Sequence, residues 1–113
     1  MSDSSEFTIV ERDQLPASEL EGFRYGGIGV SVIFVDAAPG EGPRLHRHPY
    51  EEIFIVLEGR PSFTVGSRTV EARPGQLVIV RPQVPHKFVN AGAGRLQQVD
   101  VHLSPRFQTE WLE

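Results

Sequence analysis

Short β-prone runs separated by glycine and proline make up most of the chain, and helical periodicity is nearly absent. Two turns are marked by residue type: a compact hairpin at residues 65–68, and a turn at 73–75 in which Gly75 is free to adopt a left-handed conformation. Short antiparallel strands closed around one core predict an all-β sandwich or barrel. The eight candidate strands are 7–11, 24–35, 52–57, 62–65, 68–72, 77–80, 86–89 and 96–103.

The strand at 52–57 is apolar on both faces, as expected of a strand that is covered on both sides. Alternation places one set of side chains inside the barrel and leaves the other set to be covered from outside. Either a partner subunit or the N-terminal segment around Phe7, Ile9 and Val10 supplies that cover, and we favour a homodimer. The inner set is Glu52, Phe54 and Val56, and the outer set is Ile53, Ile55 and Leu57.

With 113 residues, the chain is long enough for one domain with a modest core. Its formal net charge of −4 comes from scattered residues, so the sequence shows no clustered basic face for nucleic acid. The absence of cysteine excludes disulfides and thiolate chemistry. The polar N-terminus is unlike a signal peptide, and no apolar run is long enough to span a bilayer. These features predict a cytoplasmic protein that binds neither nucleic acid nor membrane.

His46, His48 and Glu52 lie within one short segment, at even-numbered separations from one another. Because side chains alternate along an extended strand, His46 and His48 project to the same side while Arg47 points away. Glu52 rejoins that side if the chain returns to strand geometry after the bend at residues 49–50. Two imidazoles and a carboxylate that converge on one point form an open metal-binding face, with positions left for water or substrate.

The spacing of this segment resembles the first motif of the cupin superfamily. Gly40 is followed by five residues and His46, one residue and His48, three residues and Glu52, then six residues and Gly59. The resemblance includes every defining position of that motif.

A second block resembles the second cupin motif at the distance expected of a small family member. Gly75, His86 and Asn90 fall in register with the family pattern. Arg81 stands where the family usually has proline, and Gln83 stands where it usually has the glycine of the turn. Gln83 would therefore carry a modest conformational cost if the turn requires a positive φ.

The resemblance to a small single-domain cupin implies a cupin double-stranded β-helix, or jelly-roll barrel, formed by one domain over residues 1–113. The core of this domain would lie at about 24–103, with an N-terminal strand and a C-terminal tail as extensions. It also implies that His86 joins His46, His48 and Glu52 as ligands of one divalent transition metal. Such a set suits Fe, Mn, Ni, Co or Zn. The alternative is a barrel that keeps the motif without binding metal.

Asp100 and His102 are weaker candidates for a role in catalysis. Alternation places both on one face of the last strand together with Gln98. If that face lines a pocket, either residue could support a metal ligand or act as a general base. Because burying an unpaired aspartate is costly, we favour the interpretation in which this face lies at the surface.

Aromatic residues are assigned structural roles. We expect Phe54, Phe63 and Phe88 to belong to the core rather than to a substrate platform. The tail that starts at Ser104 resembles the C-terminus of a group of small single-domain cupins. We expect its aromatic residue to dock on a sheet edge, of its own subunit or of a neighbour. The tail residues with this expected structural role are Arg106, Glu110 and Trp111.

Two functions follow from this pattern. The first is a metal-dependent enzyme, of the dioxygenase or isomerase type, that acts on a small polar molecule. The second is a non-catalytic module that binds a metal or small ligand, because no acid–base pair or charged substrate clamp is visible outside the metal ligands. Both predict a small-molecule partner, and the architecture alone does not choose between them.

Overall fold

The computed structural model describes residues 2–3 and 6–113, and that part of the chain is built almost entirely from β-strands. Three single-turn 3-10 helices, Arg12–Gln14, Pro16–Ser18 and Gly22–Arg24, precede the main strands. In chain order the strands are β1 Ser2–Asp3, β2 Thr8–Ile9, β3 Glu19–Glu21, β4 Ser31–Ala37, β5 His46–Arg47, β6 Glu52–Glu58, β7 Pro61–Val65, β8 Arg68–Glu71, β9 Leu77–Val80, β10 His86–Asn90, β11 Leu96–His102 and β12 Glu110–Trp111.

Two five-stranded antiparallel sheets form the body of the fold. One sheet has the order β3-β4-β11-β6-β9 and the other has the order β12-β5-β10-β7-β8, while β1 and β2 form a separate small hairpin. This arrangement confirms the predicted all-β jelly-roll architecture. Among the described residues, no helix is long and apolar enough to cross a membrane.

Aromatic side chains from both sheets pack in the space between them. Phe54 of the first sheet contacts Phe63 and Phe88 of the second, with ring centroids 5.0 and 5.9 Å apart in T-shaped geometry. All three residues are buried, together with Val56 and Leu96. The prediction that these phenylalanines belong to the core is therefore confirmed.

Inward-facing side chains form successive rungs across the first sheet. On β6 and β11, the paired positions are Glu52 with His102, then Phe54 with Asp100. Partners across an antiparallel pair point to the same side, so each rung presents its side chains to the interior together. The rung of Glu52 and His102 lies at one end of the barrel, and the next two rungs each pair an apolar residue of β6 with a polar residue of β11.

The N-terminal third differs from the sequence prediction. The predicted strand at 24–35 is wrong over its first half, because Gly26 and Gly27 have φ values of +81° and +74° and break the extended chain. Only Thr8–Ile9 of the predicted 7–11 strand forms a β-strand. The sequence also missed β1, β3, β5 and β12, which have three residues or fewer and are defined by their pairing with neighbouring strands.

An apolar patch lies on the outer face of the first sheet. Leu57, Leu77 and Ile79 are 57%, 56% and 50% exposed. Phe7 and Ile9 are also more than half exposed, so they do not supply the cover that one alternative assigned to the N-terminal segment. The outer face of the first sheet is thus available to another molecule.

Two turns in the segments that resemble the cupin motifs contain a residue with a positive φ. Gly59 has a φ of +95°, and a Cβ there would lie 2.5 Å from the carbonyl oxygen of Arg95, so a side chain is excluded. Gln83 has a φ of +67° where the motif usually has glycine. The predicted conformational cost at Gln83 is therefore present, because L-residues are disfavoured in the left-handed region.

Replacing Gln83 with glycine should stabilise the fold by about 0.5–1 kcal/mol, because relief of the left-handed strain outweighs the added freedom of the unfolded chain. Urea unfolding measures the change. Gln97→Gly is the control: Gln97 lies in β11 with no positive φ, so glycine should destabilise there. Equal losses at both positions would contradict the assignment of strain to Gln83.

Candidate metal centre

Three strands of the two sheets bring four possible metal ligands to one end of the barrel. His46 lies in β5, His48 follows it, Glu52 opens β6 and His86 opens β10. The register pairs His86 directly with His46 across the second sheet. All four side chains are buried, at 7% exposure or less.

The donor atoms of these residues converge on one point. One donor atom from each of His46, His48, Glu52 and His86 lies within 4.8 Å of the others. Glu52 Oε1 is 3.1 Å from His48 Nε2 and 3.0 Å from His86 Nε2. Ligand atoms at about 2.1 Å from a shared ion are roughly 3 to 4.2 Å from one another, so the observed spacing is close to that of a coordination shell.

The outer nitrogens of the three histidines are all committed to backbone carbonyl oxygens. A carbonyl can only accept a hydrogen bond, so Nδ1 must be the donor and carry the proton in each ring. In the neutral ring, Nε2 is then a lone pair that points into the centre. The Nδ1···O distances are 2.6 Å from His46 to Arg44, 2.8 Å from His48 to Gln108 and 2.9 Å from His86 to Val84.

Three lone pairs and a carboxylate that face one another repel unless a positive charge lies among them. His48 Nε2 is buried and has no hydrogen-bond partner, although it lies close to Glu52 Oε1. A cation would interact favourably with all four donors at once, and a bound metal supplies that charge. The donor set therefore fits a divalent transition metal.

His102 lies beside Glu52 but has a different hydrogen-bond environment. Its Nε2 is 3.1 Å from Glu52 Oε2, and its Nδ1 is 2.7 Å from the hydroxyl of Tyr50. That hydroxyl accepts the backbone N–H of Gln108 at 3.2 Å, so its own proton is free to point at Nδ1. This arrangement places the proton of His102 on Nε2, where it faces Glu52. His102 therefore positions the carboxylate instead of joining the donor set.

The preferred surface interpretation of Asp100 and His102 is wrong. They are 4% and 3% exposed, and Gln98 beside them is 1% exposed, so this face of β11 lies inside the barrel. The cost of burial is reduced by polar partners: Tyr50 and Glu52, both distant in sequence, for His102, and the nearby Gln98 on the same strand for Asp100. The sequence offered no signal for Tyr50 or Gln108, whose roles depend on the folded tail.

Electrostatics keeps Glu52 ionised. Burial alone would raise the pKa of its carboxyl group, but the N–H of His102 is the largest of the effects that hold this pKa below its ordinary value. Burial lowers the pKa of His46, which favours the neutral ring that a metal requires. Burial also raises the pKa of Tyr50 to about 12, so its hydroxyl stays protonated.

Comparison with known proteins identifies the family. The model of the cupin domain matches residues 33–102, which is more than half of the chain. The chain belongs to the cupin family. Manganese-containing oxalate decarboxylase of Bacillus subtilis has the same fold, with a TM-score of 0.76 at 20% identity over 83% of this chain and 27% of that protein. A double-stranded β-helix protein of Klebsiella pneumoniae matches with a TM-score of 0.69 at 22% identity over 75% and 76% of the two chains.

Curated relatives are similar over part of their length. An uncharacterized protein of Methanocaldococcus jannaschii is 33% identical over 69 residues, which is 60% of this cupin and 55% of that protein. The HTH-type transcriptional regulator PuuR of Escherichia coli is 31% identical over 80 residues, 69% of this chain and 43% of the regulator. This cupin thus spans about half the length of the curated relatives it matches.

The C-terminal tail of this cupin closes one side of the metal centre. β12 pairs with β5 of the same chain, which covers the sheet edge as predicted, and the Trp111 ring is 5.0 Å from that of His46. Phe107 packs edge-on against His102 at 4.9 Å. Among the tail residues expected to be structural, Glu110 pairs with Arg47 and Arg106 lies over Phe23. The tail is therefore both an edge cover and a wall of the site.

A cavity of about 370 Å³ opens at the four donors. Its walls are largely apolar, so the histidines and Glu52 form a polar patch on an otherwise hydrophobic surface. Asp100 and His102 also line it, as do the half-buried Glu19 and Lys87. The main apolar lining residues are Ile33, Val35, Phe54, Phe88, Phe107 and Trp111.

Replacing His48 with alanine should reduce bound metal from one equivalent to well below half, because it removes one of four donors. Elemental analysis of protein purified without affinity tags measures the stoichiometry. Arg47→Ala is the matched control, since Arg47 precedes His48 but pairs with Glu110 outside the centre. Full metal content in the His48 variant would contradict the assignment of the site.

Removing the imidazole of His102 should weaken metal binding about 10- to 100-fold without abolishing it, the usual effect of losing a partner of a metal ligand. His102→Gln keeps an N–H donor near Glu52 Oε2 and should recover part of the loss seen in His102→Ala. Competition with a chromophoric chelator measures both affinities. If His102→Ala abolished binding as completely as His48→Ala, His102 would be a ligand and not a positioning residue.

Proposed function

We propose that this cupin is a metal-dependent enzyme, of the dioxygenase or isomerase type, acting on a small molecule at one divalent transition metal. His46, His48, Glu52 and His86 would hold the ion. One observation supports the proposal above others: three buried Nε2 lone pairs and a carboxylate face one another where a cavity opens. A structural metal would not need an open position beside it.

The metal would polarise an oxygen-bearing substrate as a Lewis acid or, if it is iron, would support reaction with O2. Residues of the chain itself fix the ligands of the metal and shape the cavity beside it. Backbone carbonyls fix the three rings, His102 fixes one oxygen of Glu52, and largely apolar walls surround the cavity at the donors. Metal analysis of the purified protein would distinguish among Fe, Mn, Ni, Co and Zn.

The lining of the cavity narrows the class of substrate that we expect. A small polar molecule was expected from the sequence, but the largely hydrocarbon walls favour a ligand that is polar mainly where it meets the metal. Oxygen donors at one end and an apolar body would match both parts of the site.

A second candidate function is a non-catalytic module that senses a metal or small ligand. The similarity to the regulator PuuR favours it, because 69% of this chain aligns with part of that protein. The two functions differ in one respect: the module binds its ligand and releases it unchanged.

Two further expectations from the sequence stay predictions. They are a single domain over residues 1–113 with a core at 24–103, and a cytoplasmic location.

The metal-loaded protein should turn over at least one member of a panel of catechols, thiols and keto-acids, followed by O2 uptake and by product analysis. Activity should disappear with a chelator and return with metal. It should also fall as the pH drops below about 6.5, because protonated imidazoles do not bind metal. Since burial lowers the pKa of His46, the midpoint should lie below 6.5.

Thermal unfolding with and without chelator provides the control for this experiment. Metal that binds only the folded state must raise the melting temperature. A raised melting temperature with ligand binding but no turnover of any panel member would favour the sensing module. An unchanged melting temperature, after confirmed removal of the metal, would contradict the metal-dependent enzyme and favour a module that binds a small ligand without metal.

We also propose that the outer face of the first sheet forms a homodimer interface. The face is apolar across neighbouring strands, since Ile79 pairs with Ile53 and Leu77 pairs with Ile55. Val99 continues the patch beside Ile55 on β11. A two-fold axis would let this self-complementary surface cover itself.

Sedimentation at tens of micromolar should show a dimer, and Ile79→Glu should shift it to monomer because a charge would be buried at the interface. Thr69→Glu, on the outer face of the second sheet, is the control and should leave the dimer intact. A clean monomer for the unmodified protein would refute the proposal.

A further inference from the structure

Asp100 is a buried carboxyl group on the cavity wall, one rung away from the polar end of the barrel. It is 4% exposed and lines the cavity that opens at the metal centre. Its neighbours in the sheet register are Phe54 on β6 and Ile33 on β4, both apolar and both part of the lining. Burying a carboxyl group among such neighbours is costly unless it has polar partners.

Gln98 satisfies only part of this requirement. Its Nε2 donates a hydrogen bond to Asp100 Oδ1 at 2.9 Å, while its own Oε1 is buried without a hydrogen-bond partner. Burial is the main cause that raises the pKa of Asp100 well above its ordinary value, and the bond from Gln98 lowers it only in part. A carboxyl group kept neutral by an apolar wall can donate a hydrogen bond to a ligand.

The cavity between Asp100 and the four donors sets the size of such a ligand. Asp100 is two residues from His102 on β11, and His102 is paired with Glu52. Two residues along a strand span roughly 6.5–7 Å. Residues of both rungs line the cavity of about 370 Å³, which has room for one six-membered ring with a single substituent.

We propose that Asp100, supported by Gln98, is a second polar anchor of the ligand site, selecting a cyclic oxygen chelator that carries a hydrogen-bond acceptor opposite its chelating atoms. This inference rests on the proposed function, because the chelating end requires a metal at the four donors. The ring would pack against Phe54 and Phe88, and the acceptor would receive the proton of Asp100. Asp100 would thereby determine specificity without touching the metal.

Two catechols of equal size test the anchor. In 3,4-dihydroxyacetophenone a ketone stands opposite the chelating hydroxyls, and in 4-ethylcatechol a methylene replaces that carbonyl. Titration of the cobalt-loaded protein under argon, followed by the cobalt absorption bands, gives the dissociation constant of each. The ratio of the two constants is divided by the same ratio for free cobalt in water, which removes the difference in their acidity.

The corrected preference for the ketone should be about five- to tenfold in the unmodified protein, the effect of one buried hydrogen bond. Asp100→Asn keeps an N–H donor and should retain most of this preference, whereas Asp100→Leu should abolish it. Both variants should bind cobalt with unchanged stoichiometry, because neither removes a donor of the metal centre.

A corrected ratio near one in the unmodified protein, or the same preference in Asp100→Leu, would overturn the anchor while leaving the proposed function intact. The first result needs no variant, so the test holds even if Asp100→Leu fails to fold. If neither catechol altered the cobalt bands, chelation at the metal would be contradicted. The proposed role of Asp100 as an anchor would then be contradicted as well.

Discussion

The structure depends on one electrostatic constraint: three imidazole lone pairs and a carboxylate are held face to face in a buried site. Backbone carbonyls fix the protons of His46, His48 and His86 on the outer nitrogens, so the rings cannot turn their donors toward Glu52. The fold maintains this unfavourable arrangement through its sheet pairing. A divalent metal would convert the repulsion into binding energy, and this supports the proposal that the site binds one.

Both sheets contribute side chains to the site. The second sheet contributes His46 and His86 through a cross-strand pair, and the first contributes Glu52 together with its neighbour His102. The C-terminal tail then adds two backbone contacts, one to His48 and one to Tyr50, through the single residue Gln108. The tail thus couples the geometry of the metal centre to the closure of the barrel edge.

The sequence could predict what depends on local alternation and on motif spacing. His46 and His48 lie in the same short segment, so their shared direction followed from strand geometry, and the second motif supplied His86. The orientation of β11 could not be predicted, because its polar face lies inside and its apolar face outside. That inversion reflects a polar site within the barrel and an apolar outer patch, and the partner of His102 comes from Tyr50, 52 residues away.

The tautomers of the histidines test this account most directly. The chain contains four histidines, and all four lie at the site, so a nitrogen-15 NMR spectrum of the zinc-loaded protein reports on each of them. We predict that three rings carry the proton on Nδ1 and bind zinc through Nε2, while His102 carries it on Nε2. Fewer than three zinc-bound Nε2 atoms, or a proton on Nδ1 of His102, would contradict the account.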